Sequence, residues 1–536
     1  MKKILLIIFN VLINHVHAQS PNFSFAKNLD AWAVNSKIDA NGDIVSVGYF
    51  NGTKDFDPGI GTYTLSNAQG SLFIQKLNST GDLIWAKNFG ATGFSTTDNV
   101  IKSLQISQNN DYIICGTYNE NGDFNPGTSV NMLNCNTDNT NFFIARYDSS
   151  GNLLWANGIG ANGSGNNETA ENLTIDNNGD LIVVGTFMNY FPNFTDFDPS
   201  AATYTIMASG GSYVAKYTAN GDFINVKNFQ TLNHQFVFSY PNNDLLILGY
   251  SQGANDYDPS PTTTYTINTS YPGSYQGQTY YLRINSNLDF VSAKAISGVS
   301  VNKFTSASVD PLLMSLICTI DCAGATTDSD PSASITNTLN THFSNYGKII
   351  QRLDGDMNLL FAKNVKKDYN ASFTNGTDNY ANIKDTLVKY DNSGNVIWKY
   401  RTIDAMPVSI IYTPSNSLYV SGLNLGNANC DPITNNPDAI LSGNNGYLLK
   451  WDLGINTSVF DKDKKTDLIL FPNPVSDKIQ IKPIDQENSI IIYNTLGEIV
   501  LTKNIEKEIN AIDVSSLKSG VYYITINNQT KKFIKE

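Results

Sequence analysis

The sequence predicts an all-β chain in two parts, and three observations carry that expectation. One hairpin pattern returns along most of the chain, most clearly as SLFIQKLNSTGDLIWAKNFG from Ser71 to Gly90. Apolar and polar residues alternate on both sides of a polar, Gly-containing link, which is the sequence form of a β-hairpin. Gly, Asn, Ser, Thr and Tyr are plentiful while long runs of Ala, Glu, Lys and Leu are missing, a balance that suits short strands and many turns. After residue 467 the repeat stops and tightly alternating segments such as DKIQIKP and VYYITINN take over.

Met1 to Ala18 opens with Lys2-Lys3, continues with the apolar run Ile4 to Phe9 and ends in Val16-His17-Ala18. The run is too short to span a bilayer and reads as a cleaved secretory signal; no later stretch reaches transmembrane length. The formal charge of −13 becomes −15 once Lys2 and Lys3 leave with the signal. Such a surface repels nucleic-acid phosphates, and no basic patch offsets it. The five cysteines lack a disulfide-framework spacing. Cys115 and Cys318 are assigned to the repeat position of Val47, Val184 and Leu248 and are expected as small buried apolar residues.

Phe23 to Asn28 matches the second half of the hairpin, with no first half before it. A full unit then reads as hairpin, short strand, V-G-x-F strand, Asp-Phe-Asp-Pro turn and connecting strand. Successive copies lie 70 residues apart from Trp85 to Trp155 and again from Trp155 to Asn225. The first hairpin strand occurs near Leu72, Phe142, Tyr213, Tyr281, Ile349, Leu387 and Tyr447, so it is present seven times. The second also occurs seven times, but its first copy is the orphan at Phe25, and no partner follows Trp451. Orphan halves at the two ends are what a ring produces when it closes by pairing its termini, and closure removes exposed sheet edges. The expectation is a closed β-propeller over residues 19–454 with seven blades. Six is the alternative, because the unit from Asn364 to Asp385 is degenerate. Trp85, Trp155 and Trp398 share one repeat position and are expected to pack between blades.

Residues 455–467 (INTSVFDKDKKTD) read as a linker and 468–536 as a small antiparallel sandwich of Ig-like type. This C-terminal module resembles the type A sorting domain of the type IX secretion system of Bacteroidetes. The likeness rests on Leu470-Phe471-Pro472-Asn473-Pro474, on Ile490 to Asn494 (including Tyr493) followed by Leu496-Gly497, on Leu517 and Gly520-Val521-Tyr522, and on the basic end Lys531 to Lys535. It implies the type IX machinery as partner, passage through the periplasm, and release or attachment at the outer surface. Pro472 and Pro474 block ladder pairing, and Gly497 and Gly520 suit turns. The repeats resemble the bacterial propeller repeats called SBBP, through FIQKLNSTGDLIW, FFIARYDSSGNLLW and LVKYDNSGNVIW; no single activity follows from that likeness. A quinone-enzyme (PQQ-type) propeller fits poorly, since Trp is missing at four of seven copies and no neighbouring Cys pair is present. The sialidase Asp-box fails by one residue between Gly151 and Trp155.

The chemical candidates are the carboxylate pairs Asp55/Asp57, Asp123/Asn125, Asp196/Asp198, Asp256/Asp258 and Asp328/Asp330, each followed by Pro, with a reduced copy at Asp431-Pro432. Oxygens at i and i+2 suit calcium if the turn converges them, and the same residues are also ordinary turn chemistry. His234 and His342 are the histidines beyond the signal; His234, in HQFVF, is expected as a packed residue. No nucleophile elbow, P-loop, HExxH or Cys/His cluster is present. No catalytic residue is assigned. The reading is a secreted or cell-surface, non-catalytic propeller that binds an extracellular glycan or protein. The alternative is a polysaccharide hydrolase or lyase with acidic residues at the channel mouth.

Overall fold

The turn inside each hairpin explains the polar link of the repeat. In the computed structural model, Asn78 N–H donates to the Asp82 carbonyl and Gly81 N–H to the Asn78 carbonyl, both at 2.9 Å. This is a type I turn followed by a left-handed residue, Gly81 at φ +81°. The Asn78 side chain then accepts the N–H groups of Thr80 and Asp82 at 2.9 Å each. A short side chain with an oxygen acceptor at the first position and a residue able to take positive φ at the fourth, glycine at Gly81, suit this turn.

The structure describes residues 21–453 and 470–536 apart from short stretches, the longest being 92–100, 268–276 and 431–439. The expected signal segment, the linker 455–467, Asp431-Pro432 and His342 lie outside the described residues. All regular elements described are β-strands. The chain separates into two compact units, dividing between 454 and 455.

In the first unit, the described strands form seven sheets built on four neighbouring strands each, beside two small two-stranded sheets, Thr326–Asp328 with Thr338–Asn340 and Ala428–Asn429 with Ile440–Leu441. Sheet 1 comprises Trp32–Ile38, Ile44–Asp55, Thr64–Leu77 and Leu83–Ala91, and is extended by two short strands, Gly122–Asp123 and Met132–Leu133. Sheet 2 comprises Ile101–Ile106, Tyr112–Tyr118, Asn141–Tyr147 and Leu153–Ile159; sheet 3, Asn167–Ile175, Leu181–Met188, Gly210–Tyr217 and Phe223–Phe229. Sheet 4 comprises Leu232–Ser239, Leu245–Gln252, Gly277–Ile284 and Phe290–Ile296; sheet 5, Val301–Asp310, Ser315–Cys322, Gly347–Leu353 and Leu359–Val365. The degenerate unit still supplies sheet 6, with Tyr369–Thr374, Asn379–Ile383, Thr386–Tyr390 and Val396–Arg401; only the insert before its third strand is lost. Sheet 7 takes Ala405–Tyr412, Ser417–Asn424 and Gly446–Asp452, and its fourth strand is the N-terminal Asn22–Leu29. Asn22 pairs with Asp452 and Leu29 with Gly446, the two orphan halves of the repeat. Each first strand touches the first strand of the next sheet, and that of sheet 7 touches that of sheet 1.

The V-G motif has a local cause. Every first strand bulges at the same level, as between Ala33 and Asn35 in sheet 1 and between Ala170 and Asn172 in sheet 3. The bulge pushes a carbonyl over the second strand: a Cβ on Gly48 would meet Trp32 O at 1.9 Å, and one on Gly185 would meet Thr169 O at 1.8 Å. Glycine allows that approach in these sheets, whereas sheet 6 carries Ile383 at the same level. Sheet 5 carries Ile320 opposite Phe304 instead and shows a second register shift, between Val301 and Lys303. With isoleucine in place of glycine, the repeat spacing in sheet 5 is displaced by one residue. Cys115, opposite Ile144, does share the position of Val47, but Cys318 pairs with Gln351 and so takes the position of Ser46, one residue away. Both thiols are buried.

Apolar residues fill each interface between consecutive sheets; between sheets 7 and 1 they are Leu29, Tyr419, Leu448, Ile44 and Leu77. A second tie is polar. Each third strand carries one cation at the same position: Lys76, Arg146, Lys216, Arg283, Arg352, Lys389 and Lys450. Lys216 Nζ lies 2.9 Å from Asp176 and 3.1 Å from Asp180, in the turn between the first two strands of its own sheet. It also donates to Ser286 O in sheet 4 at 3.4 Å. Burial works to lower the Lys216 ammonium, but the two carboxylates hold it above its usual range. Arg146 donates to Ala219 O of sheet 3 at 2.6 Å, and Lys450 to Ser79 O of sheet 1 at 3.4 Å. The contact that joins neighbouring sheets mid-chain thus recurs between sheet 7 and sheet 1.

The fourth-strand aromatics pack onto the following sheet as expected. A Cβ on Gly81 would stand 3.0 Å from Phe25, one on Gly151 2.8 Å from Trp85, one on Gly221 3.0 Å from Trp155 and one on Gly394 2.7 Å from Phe361. Trp398 is 9% exposed and shares a buried cluster with Ile410 and Leu418 of sheet 7.

Candidate functional site

The Asp-x-Asp-Pro segments leave the second strands of their sheets and return as an arm toward the third. Asp55 Oδ1 accepts the N–H of Asp57 at 3.0 Å and that of Tyr63 at 2.8 Å, while Asp57 Oδ1 accepts Gly59 N–H at 2.8 Å. The copies repeat this geometry. Asp123 accepts Asn125 and Asn131, Asp196 accepts Asp198 and Tyr204, Asp256 accepts Asp258 and Tyr265, and Asp328 accepts Asp330 and Asn337, all at 2.8–3.1 Å. The residue between each pair is buried: Phe56, Phe124, Phe197, Tyr257 and Ser329 are at most 2% exposed. Each pair therefore uses carboxylate or amide oxygens to order its own loop, and the central residue anchors that loop in the core. The structure keeps the five pairs apart, each at or beyond the end of a different second strand, in sheets 1 to 5. Among the described residues, no three His, Cys, Asp or Glu side chains gather as a metal-binding group.

The first strands carry few acids. Glu168 is fully buried and accepts Thr195 Oγ1 at 2.6 Å; Glu171 lies 3.3 Å from Lys102; Asp310 is buried, with the Arg352 charge nearby. No carboxylate dyad is assembled among these described residues.

His234 is 1% exposed, with its Nδ1 2.6 Å from the Tyr280 hydroxyl and its ring against Phe229. Burial pulls its pKa from 6.5 down to about 3. Above pH 6.5 the imidazole is neutral in folded and unfolded chains alike. Below that, the unfolded chain takes up a proton that the folded chain refuses until about pH 3, so stability falls with pH. By linkage the loss is about 2 kcal/mol at pH 5. Melting curves at pH 7 and pH 5 are expected to separate less in His234→Gln than in the wild type; equal separation would show that His234 does not carry the acid sensitivity.

In the second unit, Leu470–Phe471, Lys478–Ile481 and Ala511–Asp513 form one sheet. Ile499–Ile505, Asn488–Tyr493, Gly520–Ile526 and Gln529–Lys535 form the other. Val475, Ile479, Ile490, Ile492, Ile512, Val514, Ile524 and Phe533 make its core. Asn473 acts as a clamp: its Oδ1 accepts Ile534 N–H at 2.9 Å and its Nδ2 donates to Lys532 O at 3.3 Å. Val475 N–H adds a bond to Ile534 O at 2.8 Å. Pro474 follows Asn473 through a cis peptide. Tyr522 stacks on Phe533 at 5.6 Å and donates to Lys518 O at 2.9 Å. Tyr493 pairs with Ile499 and Tyr523, and Asn494 follows it directly. Gly520 opens a strand opposite Lys535, not a turn; Pro472 and Gly497 lie outside the described residues.

Residues 469–536 match the family model described as secretion system C-terminal sorting domain. Beta-agarase A of Zobellia galactanivorans is 32% identical over 72 residues, a stretch covering 13% of each chain. Among solved structures, the Neurospora crassa Pan2 WD40 domain is similar with a TM-score of 0.42 at 8% identity, covering 81% of this chain and 97% of that one. BamB from Moraxella catarrhalis is similar with a TM-score of 0.36 at 10% identity, covering 81% and 98%. No helix among the described residues is long and apolar enough to cross a membrane. The C-terminal residues are a secretion-system sorting domain of the type IX kind, and the chain that carries them is an exported protein whose described elements are all β, arranged as repeated four-stranded sheets.

Proposed function

We propose that residues 19–454 form a closed, seven-bladed propeller that serves outside the cell as a non-catalytic binding module. Residues 455–467 act as its linker, and 468–536 are an Ig-like sorting sandwich. The pairing of Asn22–Leu29 with Gly446–Asp452 carries the architectural part, supported by the Lys450 contact to sheet 1. The functional part rests on how the acids are used. The repeated carboxylates order their own loops, and those of the first strands are each buried or set beside a cation. A glycan array on the mature full-length protein, run with a hydrolysis screen on the same glycans, tests the reading. Binding without turnover is the expected result; turnover abolished by one carboxylate substitution would establish the hydrolase or lyase instead.

For the Asp-x-Asp-Pro pairs we adopt the turn role over calcium. A ligand that binds only the folded chain raises its melting temperature by mass action. Millimolar calcium is expected to move the midpoint by less than about 1 °C, and a clear rise that reverses with chelator would restore the calcium role of Asp55, Asp57 and their repeats.

A further inference from the structure

The arms that the Asp turns hold present one exposed motif three times. Thr62-Tyr63-Thr64, Thr203-Tyr204-Thr205 and Thr264-Tyr265-Thr266 all stand exposed in sheets 1, 3 and 4, with the tyrosines 43%, 45% and 41% open to solvent. Their backbones are fixed from both sides. Tyr204 N–H donates to Asp196 at 2.8 Å, and its carbonyl accepts Phe197 N–H at 2.9 Å; Tyr63 and Tyr265 are held in the same way. Two of the rings are backed by an aromatic on the outer strand, Tyr204 by Phe223 at 4.8 Å and Tyr265 by Phe290 at 4.7 Å, tilted by 39° and 35°. The clamp itself does not require tyrosine, since Asn131 and Asn337 occupy the same bonded position in sheets 2 and 5. A half-open ring, rigid in its backbone, backed on one side and flanked by hydroxyls, suits the apolar face of a sugar ring and the hydroxyls around it. The triplets contain no cation, and the chain carries a net charge of −13, so a polyanion is disfavoured.

We propose that Tyr204 and Tyr265, with Tyr63 as a third point, are stacking platforms for the hexose rings of a neutral polysaccharide. This deepens the binding-module reading and rests on it. One platform per arm gives weak contacts that add along a polymer by multivalency. Affinity electrophoresis of the mature full-length protein tests it, in gels containing agarose, a soluble neutral β-glucan or, as polyanion, alginate. At least one neutral polymer is expected to retard the wild type. The double variant Tyr204→Ala/Tyr265→Ala should weaken that retardation at least about tenfold, whereas Tyr204→Phe/Tyr265→Phe should retain it, all with wild-type melting curves. Absence of retardation by any neutral polymer overturns the proposal. Retardation unchanged in the alanine pair also overturns it, while leaving a glycan-binding module with its site elsewhere. Chromatography of the same incubations separates the two failures, because released oligosaccharides would sink the non-catalytic reading whatever the tyrosines do.

Discussion

Removing Asn22–Leu29 is expected to cost at least about 5 kcal/mol and to lower the melting temperature by more than about 10 °C, a far larger effect than trimming an exposed terminus. The segment supplies seven register pairs to Gly446–Asp452. It buries Leu29 with Ile44 and Leu77, sets Phe25 against Gly81, and brings Lys27 within 3.5 Å of Asp82. Without it, the third strand of sheet 7 becomes an unpaired edge and sheet 1 loses the packing of Leu29 and Phe25, so one ladder and part of an interface fail together. Circular dichroism melts of the mature and truncated chains check this. A truncated chain that melts with the wild type would show that the seven sheets do not depend on a joined seam.

The second large effect is a coupled one. Where the fourth strand carries Phe25, Trp85, Trp155 or Phe361, the facing turn of the next sheet carries glycine, as in Trp155 and Gly221. Where the ring is replaced by Asn225 or Ser292, the next turn has Leu288 or Met357, both buried and both at positive φ, 68° and 59°. Space left by the ring is thus refilled from across the interface, at the cost of holding a branched or long side chain in the left-handed region. Gly221→Leu alone is expected to destabilise by about 3 kcal/mol, from overpacking against Trp155 plus backbone strain. Trp155→Ser alone should lose about 3 kcal/mol through the missing aromatic. The double variant should be more stable than the two losses combined by about 1–3 kcal/mol, the coupling of residues in contact. Urea unfolding of the four proteins measures it, and strict additivity would show that ring and turn do not share one space.

Much of the fold was legible in the sequence because its determinants are local and repeated. Period-two strands, turn residues at fixed offsets and two orphan half-hairpins are each visible within a few residues. The first strands' bulges were not legible as such, although their shadow, the glycine of V-G, was. Where that glycine is replaced, as at Ile320, the alignment failed by one residue and misplaced Cys318. The third-strand cations stand in plain view in sequences such as FIQKL and FIARY, but they read as strand polarity, because their partners lie on the neighbouring strand's turn and on the next sheet. The Asp turns were recognised as a constellation. That their first carboxylate fixes the residue eight or nine positions on, and so presents Tyr63, Tyr204 and Tyr265, depends on how the arm folds back, which no spacing rule states.

The borrowed outer strand also decides how the exported chain bears mechanical load. Gly446–Asp452, the last described strand of the first unit, lies between Asn22–Leu29 and Ser417–Asn424, bonded along both edges. Traction applied through the C-terminal residues therefore enters the repeats through an interior strand, and two hydrogen-bond ladders must give way before it detaches. Had the N-terminal segment been elsewhere, the same tug would peel an edge strand one bond at a time.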